Sequence, residues 1–528
     1  MKGAVIAGAG SGVGKTSIAT GTMLALSRRM KVQPFKVGPD FIDPLYHTAA
    51  TGRRSRNLDT FMVPGKGIRG IVGSASKGAD LCIVEGVRGL YEGLSGTSDS
   101  CSTAEAAKIL GLPVILVLDA RSLTRSAAAI INGFAAFDPG VDIRGVILNN
   151  VSGKQHEDKL RDAIGRYCDV EIVGMVRRHE GSELKSRHLG LKTVNGREDE
   201  VSALEALADD LDMDAFMGIC ESCEAEFPEV SPYAEHSCGA LVAVPMDEAY
   251  CFYYEENLEC LRAAGIEVVT FSPLAGDPLP DVDMYYLGGG YPELFASRIS
   301  ENRDFLEGLA NASAEGKPVM GECGGLMTMC EAIVDSEGNR HPMAGILAAD
   351  AVMCGRHGPK YTISEGTPEN PLFSGMVVRG HEFHYSELRL RKEGRFGFRM
   401  DRGQGILDGM DGLVSGNSIG SYSHMNALSV PDWASGIVER LRRFANMQKL
   451  IFYWIFMFDL QKLPVFNLLM HASNGSGSDE ISSFQESCSW PEILNHGTMR
   501  LSVPENLFYP RIEVSWTCAR RSWSRPPR

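Results

Sequence analysis

The chain opens with an apolar run, Val5-Ile6-Ala7, that feeds the stretch Gly8-Ala9-Gly10-Ser11-Gly12-Val13-Gly14-Lys15-Thr16 and then a helical pattern with Ile18, Thr22, Ala25 and Leu26 at helical spacing. Strand, glycine-rich turn and helix in that order restrict the fold severely. The glycines let backbone N–H groups converge on phosphate oxygens, and the new helix presents its positive end to them. Gly12, Val13 and Gly14 then supply the cradle, Lys15 reaches the terminal phosphates, and the Thr16 hydroxyl is placed to ligate magnesium. The stretch reads as a nucleoside-triphosphate site. It departs from the strict spacing in one respect, because the position six before Lys15 is Ala9 and the glycine stands one earlier, at Gly8.

From Met1 to about residue 200, apolar β-type runs alternate with helical stretches: Val32 to Val37, Leu81 to Val84, Val114 to Leu118, Val146 to Leu148 and Ile172 to Gly174. Strands separated by helices imply a parallel sheet wound on both faces, and such sheets bind ligands at the carboxyl ends of their strands. The polar residues that follow these runs are therefore the candidates: Asp40 and Asp43, Glu85, Asp119, Asn149 and Asn150. Asp40 and Asp43 fall beside the phosphate loop, where two neighbouring carboxylates need a cation, and magnesium bound to a triphosphate is the natural one. Glu85 ends a buried strand as a Walker-type acid does.

At 528 residues the chain is too long for one core, and its net charge of −15 argues against a nucleic-acid groove. Thirteen cysteines without a paired framework, and the absence of a signal peptide before the first strand, point to a reducing cytoplasm. Cys220 and Cys223 form one C-x-x-C, but no second pair stands at zinc spacing.

Residues 201–238 are acidic and read as a helix plus a linker after a first domain over 1–200. A second α/β pattern covers 239–443, with strands at Leu241 to Val244, Glu267 to Thr270, Met284 to Leu287 and Val319 to Gly321, and a helix at Glu255 to Ala263. Its last strand runs into Gly321-Glu322-Cys323-Gly324-Gly325. A cysteine between glycines where a strand turns into a helix sits on a tight elbow with its sulfur presented, and the helix end favours the thiolate. Cys323 is accordingly the expected nucleophile, His424 its expected base, and Gly288-Gly289-Gly290 a source of oxyanion donors. The tail, 444–528, differs in character: it holds four of the five tryptophans, and its eight Lys/Arg stand against seven Asp/Glu where the preceding part has 44 against 60. Its apolar run Leu450 to Phe458 is too short to span a bilayer, so no membrane is expected. A frame-shifted or read-through end, or a lineage-specific extension, with weak order, is the expectation there.

Several of these stretches together resemble one family. Gly-Val-Gly-Lys-Thr at 12–16, Lys-Val-Gly-Pro-Asp-Phe-Ile-Asp-Pro at 36–44, Val-Glu-Gly-Val-Arg-Gly-Leu-Tyr-Glu-Gly at 84–93, Arg187-His188-Leu189-Gly190-Leu191, Phe252 to Leu258, the cysteine elbow and Arg379 to Ser386 are similar to cobyrinate a,c-diamide synthases, including the nickel-sirohydrochlorin a,c-diamide synthase branch of coenzyme F430 assembly. The resemblance covers residues 1 to about 443. It implies a dethiobiotin-synthetase-like P-loop ATPase domain followed by a class I glutamine amidotransferase domain, with ATP and magnesium as cofactors and glutamine as nitrogen donor. It also implies amidation of the a- and c-acetates of a tetrapyrrole through acyl phosphates. By position, Thr16, Asp40 and Glu85 resemble the magnesium and phosphate residues, and Asp43 and Glu92 those that order substrate and ATP. A homodimer is carried as the expected assembly. Cobyric acid synthase-type amidation of other side chains and a switch-type P-loop ATPase are the alternatives, the latter leaving Cys323 unexplained. Two departures stand out: Glu92 occupies a position where many members have Asp, and Asn426 stands two after His424, where many class I amidotransferases have a glutamate.

Overall fold

The computed structural model describes residues 1–177, 198–228, 231–355, 358–430, 432–461, 498–500 and 513–515. The motif at 187–191 and the expectation of weak order through most of the tail lie outside the described residues. Two compact units divide the chain, Met1–Ala445 and Asn446–Arg528.

Seven strands build the first sheet: β1 (Gly3–Gly8), β2 (Val32–Val37), β3 (Arg56–Leu58), β4 (Leu81–Glu85), β5 (Val114–Asp119), β6 (Ile143–Val151) and β7 (Glu171–Arg177). All pair in parallel, in the order β3-β2-β4-β1-β5-β6-β7. The apolar runs are continuous rather than alternating because both faces are covered. Within β1, Val5 and Ala7 join one core while Ala4 and Ile6 join the core on the opposite face. The central strand thus ends in the phosphate loop, flanked by β4 and β5, where the sheet's connections diverge to either side. The three-residue strand β3 escaped the sequence reading because so short a run carries no periodicity.

The acidic stretch read as one helix and a linker carries two helices, Glu198–Asp209 and Met213–Glu221. Leu207, Leu211, Phe216, Ile219 and Cys220 are buried in the core that also holds Ile6, Ile18 and Ile147. Asp209, Asp212, Asp214 and Glu221 are exposed, and such acids hide the apolar stripe in the sequence. Cys220 is thereby a core residue, whose thiol is pushed up by burial, not half of a metal pair.

The second sheet has ten strands. Its parallel centre comprises strand Ser418–Ser421 and β8 (Leu241–Pro245), β9 (Glu267–Phe271), β10 (Met284–Leu287) and β11 (Val319–Glu322), ordered Ser418–Ser421, β11, β10, β8, β9. Antiparallel strands extend it beyond Ser418–Ser421, ending with His424–Met425 paired to Val377–Glu382. A separate four-stranded sheet, including Leu347–Met353 and Ser386–Leu390, packs beside it. Helix Trp433–Gln461 runs through the boundary expected at 444 and contains the apolar run at 450–458. Among the described residues no helix is long and apolar enough to cross a membrane.

Phe216→Ala tests whether the helix at 213–221 belongs to the first domain's core. The side chain is fully buried, so the loss is expected to be about 3–5 kcal/mol in the first urea transition. A change of about 0.5 kcal/mol or less would mark a surface linker.

Candidate active sites in the two domains

The phosphate loop leads into α1 (Lys15–Ser27) through Gly14, whose φ of 90° is open to glycine but strained for other residues. A Cβ there would also strike the Asn149 amide, which donates to the Val13 carbonyl at 2.9 Å and ties the loop to the end of β6. Gly12 likewise has positive φ. Lys15 and Thr16 start the helix, so both side chains project toward the end of β4.

There they meet Glu85, which is fully buried and uses both carboxylate oxygens. Oε1 accepts from Thr16 Oγ1 at 2.7 Å and lies 2.9 Å from Lys36 Nζ and 3.5 Å from Lys15 Nζ. Oε2 lies 2.7 Å from Nε2 of His47, which is carried on α2 (Ile42–Thr51). Lys36 also pairs with Asp43 at 2.6 Å, and Thr16 Oγ1 donates to Asp43 at 3.4 Å. Asp40 turns one oxygen onto the N–H groups of Ile42 and Asp43. Burial alone would raise Glu85, but Lys36, His47 and Lys15 hold it well below the usual carboxylate range. Burial raises Asp43 to about 6, with Lys36 opposing and Glu85 adding to the shift. Burial and the charge of Lys36 lower Lys15. Burial would lower Lys36 as well, but the carboxylates of Asp43, Glu85 and Asp40 outweigh it and raise the ammonium. Lys36 and His47 are members of this site that the sequence reading did not single out. A lysine inside a strand and a histidine on a helix look like fold residues until packing sets them against Glu85.

In the second domain Cys323 follows β11 and caps helix Gly324–Met329 with φ 48° and ψ −98°, a strained elbow for a non-glycine residue. The thiol does not sit as a stabilised thiolate. Burial, Glu293, Glu322 and Asp411 push it up to about 12, which corrects the expectation that the helix end would lower it. A helix of six residues offers little dipole against complete burial and three nearby acids.

His424 lies under the ring of Phe41, centroids 5.0 Å apart, and stacks on His381 at 5.1 Å. A Cβ on Gly289 would collide with its ring. Gly289 therefore makes room for the histidine rather than aiming an oxyanion donor: its N–H bonds to the Phe252 carbonyl, and that of Gly288 to Tyr253 Oη. Nδ1 of His424 stands 3.7 Å from Oε2 of Glu322, both side chains at 2% exposure or less. Asn426, the residue at the expected third position, instead accepts from the Leu428 N–H. The neighbouring acid is thus the one immediately before Cys323. Sequence order conceals it, because Glu322 lies far upstream of the histidine that it faces.

Phe41 belongs to the first domain and stands between Asp40 and Asp43. Its ring stacks on Phe252 at 5.1 Å and lies 4.7 Å from Tyr254 and 5.5 Å from His381. Around it the domains are joined by Tyr361 Oη donating to Asp59 at 2.7 Å, Arg379 donating to the Phe61 carbonyl at 3.1 Å, and the pair Arg56–Glu259 at 2.5 Å. Glu92, the remaining expected residue, does not touch the Glu85 cluster. It accepts from the Gly89 N–H at 2.9 Å and lines a cavity between the domains.

A family model for a CobQ/CobB/MinD/ParA nucleotide binding domain matches residues 4–191, and one for a CobB/CobQ-like glutamine amidotransferase domain matches 241–431. Buried acids beside a phosphate loop in the one, and a cysteine elbow with a histidine in the other, make the chain a glutamine-hydrolysing carbon–nitrogen ligase. Cobyrinate a,c-diamide synthase of Methanosarcina barkeri is 42% identical over 475 residues, spanning 83% of this chain and 96% of that protein. Those of Methanothermobacter thermautotrophicus and Methanocaldococcus jannaschii are 43% and 42% identical, each spanning 83% of this chain and 99% of theirs. The chain belongs to the cobyrinate a,c-diamide synthase family.

Alkylation of Cys323 by iodoacetamide in the resting protein is expected to rise about tenfold per pH unit through pH 9 without a plateau, the course of a thiol pushed up to about 12. A plateau below pH 8 would reveal a preformed thiolate. Glu322→Gln keeps the shape but removes the charge facing His424; glutaminase kcat should fall about 10–100-fold with KM little changed. An unchanged kcat would show that the imidazole is oriented without it.

Proposed function

We propose that this chain amidates the a- and c-acetate carboxylates of a tetrapyrrole, cobyrinate by analogy with its relatives' names, using ATP to form acyl phosphates and glutamine to supply ammonia. The observation that carries this reading is Phe41, flanked by the phosphate-site acids and in ring contact with His424 of the cysteine site. An ATPase switch would have no reason to seat that loop on a glutaminase base. The described cysteines are all free, which supports a cytoplasmic setting.

In the second domain Cys323 Sγ attacks the glutamine side-chain carbonyl as its proton passes to His424. Collapse of the tetrahedral adduct expels ammonia, which takes that proton, and leaves a thioester that water hydrolyses to glutamate. In the first domain the substrate carboxylate attacks the terminal phosphorus of ATP, releasing ADP and forming the acyl phosphate. Ammonia then attacks the acyl carbon, phosphate departs, and the amide remains. Lys15 and the phosphate-loop N–H groups offset the charge that develops on the transferred phosphoryl oxygens. Among the described residues no cluster of three or more His, Cys, Asp or Glu is placed to cage a cation. Hard oxygen donors on Thr16, Glu85 and Asp40 nevertheless suit magnesium shared with a triphosphate. When bound there it would neutralise phosphate charge.

Cys323→Ala should abolish glutamine-supported diamide formation while retaining synthesis from ammonium salt at alkaline pH, and Lys15→Ala should do the reverse to the two half-reactions, keeping glutaminase and losing amidation. Product a,c-diamide is measured by mass spectrometry with cobyrinate and with nickel-sirohydrochlorin. Full glutamine-dependent activity in Cys323→Ala, or full amidation in Lys15→Ala, would overturn the assignment.

A further inference from the structure

The domains enclose a cavity of about 340 Å³ whose walls include Pro39, Arg88 and Glu92 from the first domain and Lys360, His381 and Arg402 from the second. Its position is defined by two of these. Pro39 immediately precedes Asp40 of the phosphate site, and His381 stacks on His424 of the cysteine site. A group in the cavity therefore has the phosphoryl donor on one side and the ammonia source on the other. His381 is kept neutral by burial, reinforced by the adjoining His424, which holds it well below the ordinary histidine range. Its Nδ1 lies 2.8 Å from Tyr254 Oη. It presents no cation that would trap carboxylate on the ammonia side.

The other cations are differently placed. Arg88, Lys360 and Arg402 are exposed at the cavity's edge, and none has an acidic partner within 4 Å among the described residues. Among the described residues Lys360 donates only to the Gln404 amide oxygen, at 3.0 Å, and the Arg402 guanidinium rests over the Phe61 ring at 5.4 Å. Arg88 is held in the left-handed region at φ 49° by a chain that returns at once to the sheet, with Leu90 N–H bonded to the Gly8 carbonyl at 2.8 Å. In a chain of net charge −15, three unneutralised cations against the single carboxylate of Glu92 form a local field for an anion. The phosphate loop accounts for the nucleotide's charge separately, through Lys15 and its own N–H groups.

We infer that this interdomain cavity receives the acetate-bearing edge of a polycarboxylate macrocycle, with Arg88, Lys360 and Arg402 binding carboxylates that are not being activated. The inference rests on the functional reading above and places its substrate. A whole macrocycle exceeds the cavity, so one edge enters while the rest lies over the rim, where the three cations stand. Turning a second acetate inward exchanges which carboxylates the rim cations hold, which lets one phosphoryl site serve two amidations in succession.

The test uses the full chain with Lys360→Gln and Arg402→Gln combined, both exposed positions outside the proposed phosphate and cysteine machinery. Cobyrinate binding is read from its visible absorbance, and amide formation is read with ammonium as nitrogen source. Expected are a rise of about ten- to a hundredfold in Kd and KM for cobyrinate, with KM for ATP and glutaminase kcat/KM within about twofold of wild type. Arg402→Lys alone should sit between the two. Wild-type binding should weaken as salt rises, more steeply than in the double variant. An unchanged cobyrinate Kd in the double variant, while the wild type forms amide, overturns this inference and leaves the functional reading standing. A wild type that binds cobyrinate in a cation-dependent way but never forms amide overturns the functional reading instead.

Discussion

Glu85 is the constraint around which the first domain is arranged. A carboxylate with no exposure to water, at the carboxyl end of a strand in the middle of the sheet, is tolerated only if its charge is matched and its lone pairs are used. Lys36 from the neighbouring strand, Thr16 and Lys15 from the phosphate loop, and His47 from the following helix do this together. Losing one of them would leave a buried charge uncompensated rather than merely remove a contact. The same pairing holds Asp43 through Lys36, so the acids beside the phosphate loop are positioned before any nucleotide arrives.

That preorganisation extends into the other domain through Phe41. Asp40 fixes the start of α2, and the residue between the two acids inserts its ring among Phe252, Tyr254, His381 and His424. One aromatic side chain thus links the segment that carries the acids to the histidines of the second domain.

The cysteine site follows a different logic. Its elbow imposes backbone strain, and burial, joined by the acids around it, pushes the thiol up. Glu322, the residue before Cys323, faces the imidazole from the end of β11.

Local sequence determined the chemistry-bearing units of this protein. A glycine-rich turn between strand and helix, and a cysteine between glycines at the next such junction, each specify their geometry within about ten residues, because turn and elbow conformations are set by short-range sterics. Six of the seven strands of the first sheet, and the helix at 255–263, were legible as uninterrupted apolar or helical patterns, the short β3 being the exception. Tertiary structure alone decided what those units touch. Burial of Lys36 against Glu85, the assignment of the helices at 198–209 and 213–221 to the first core, the rise of the Cys323 thiol, the facing of Glu322 and His424, and the meeting of Phe41 with His424 all join residues far apart in the chain. Each depends on desolvation and on charges brought together by packing, and neither quantity exists until the sheets are assembled.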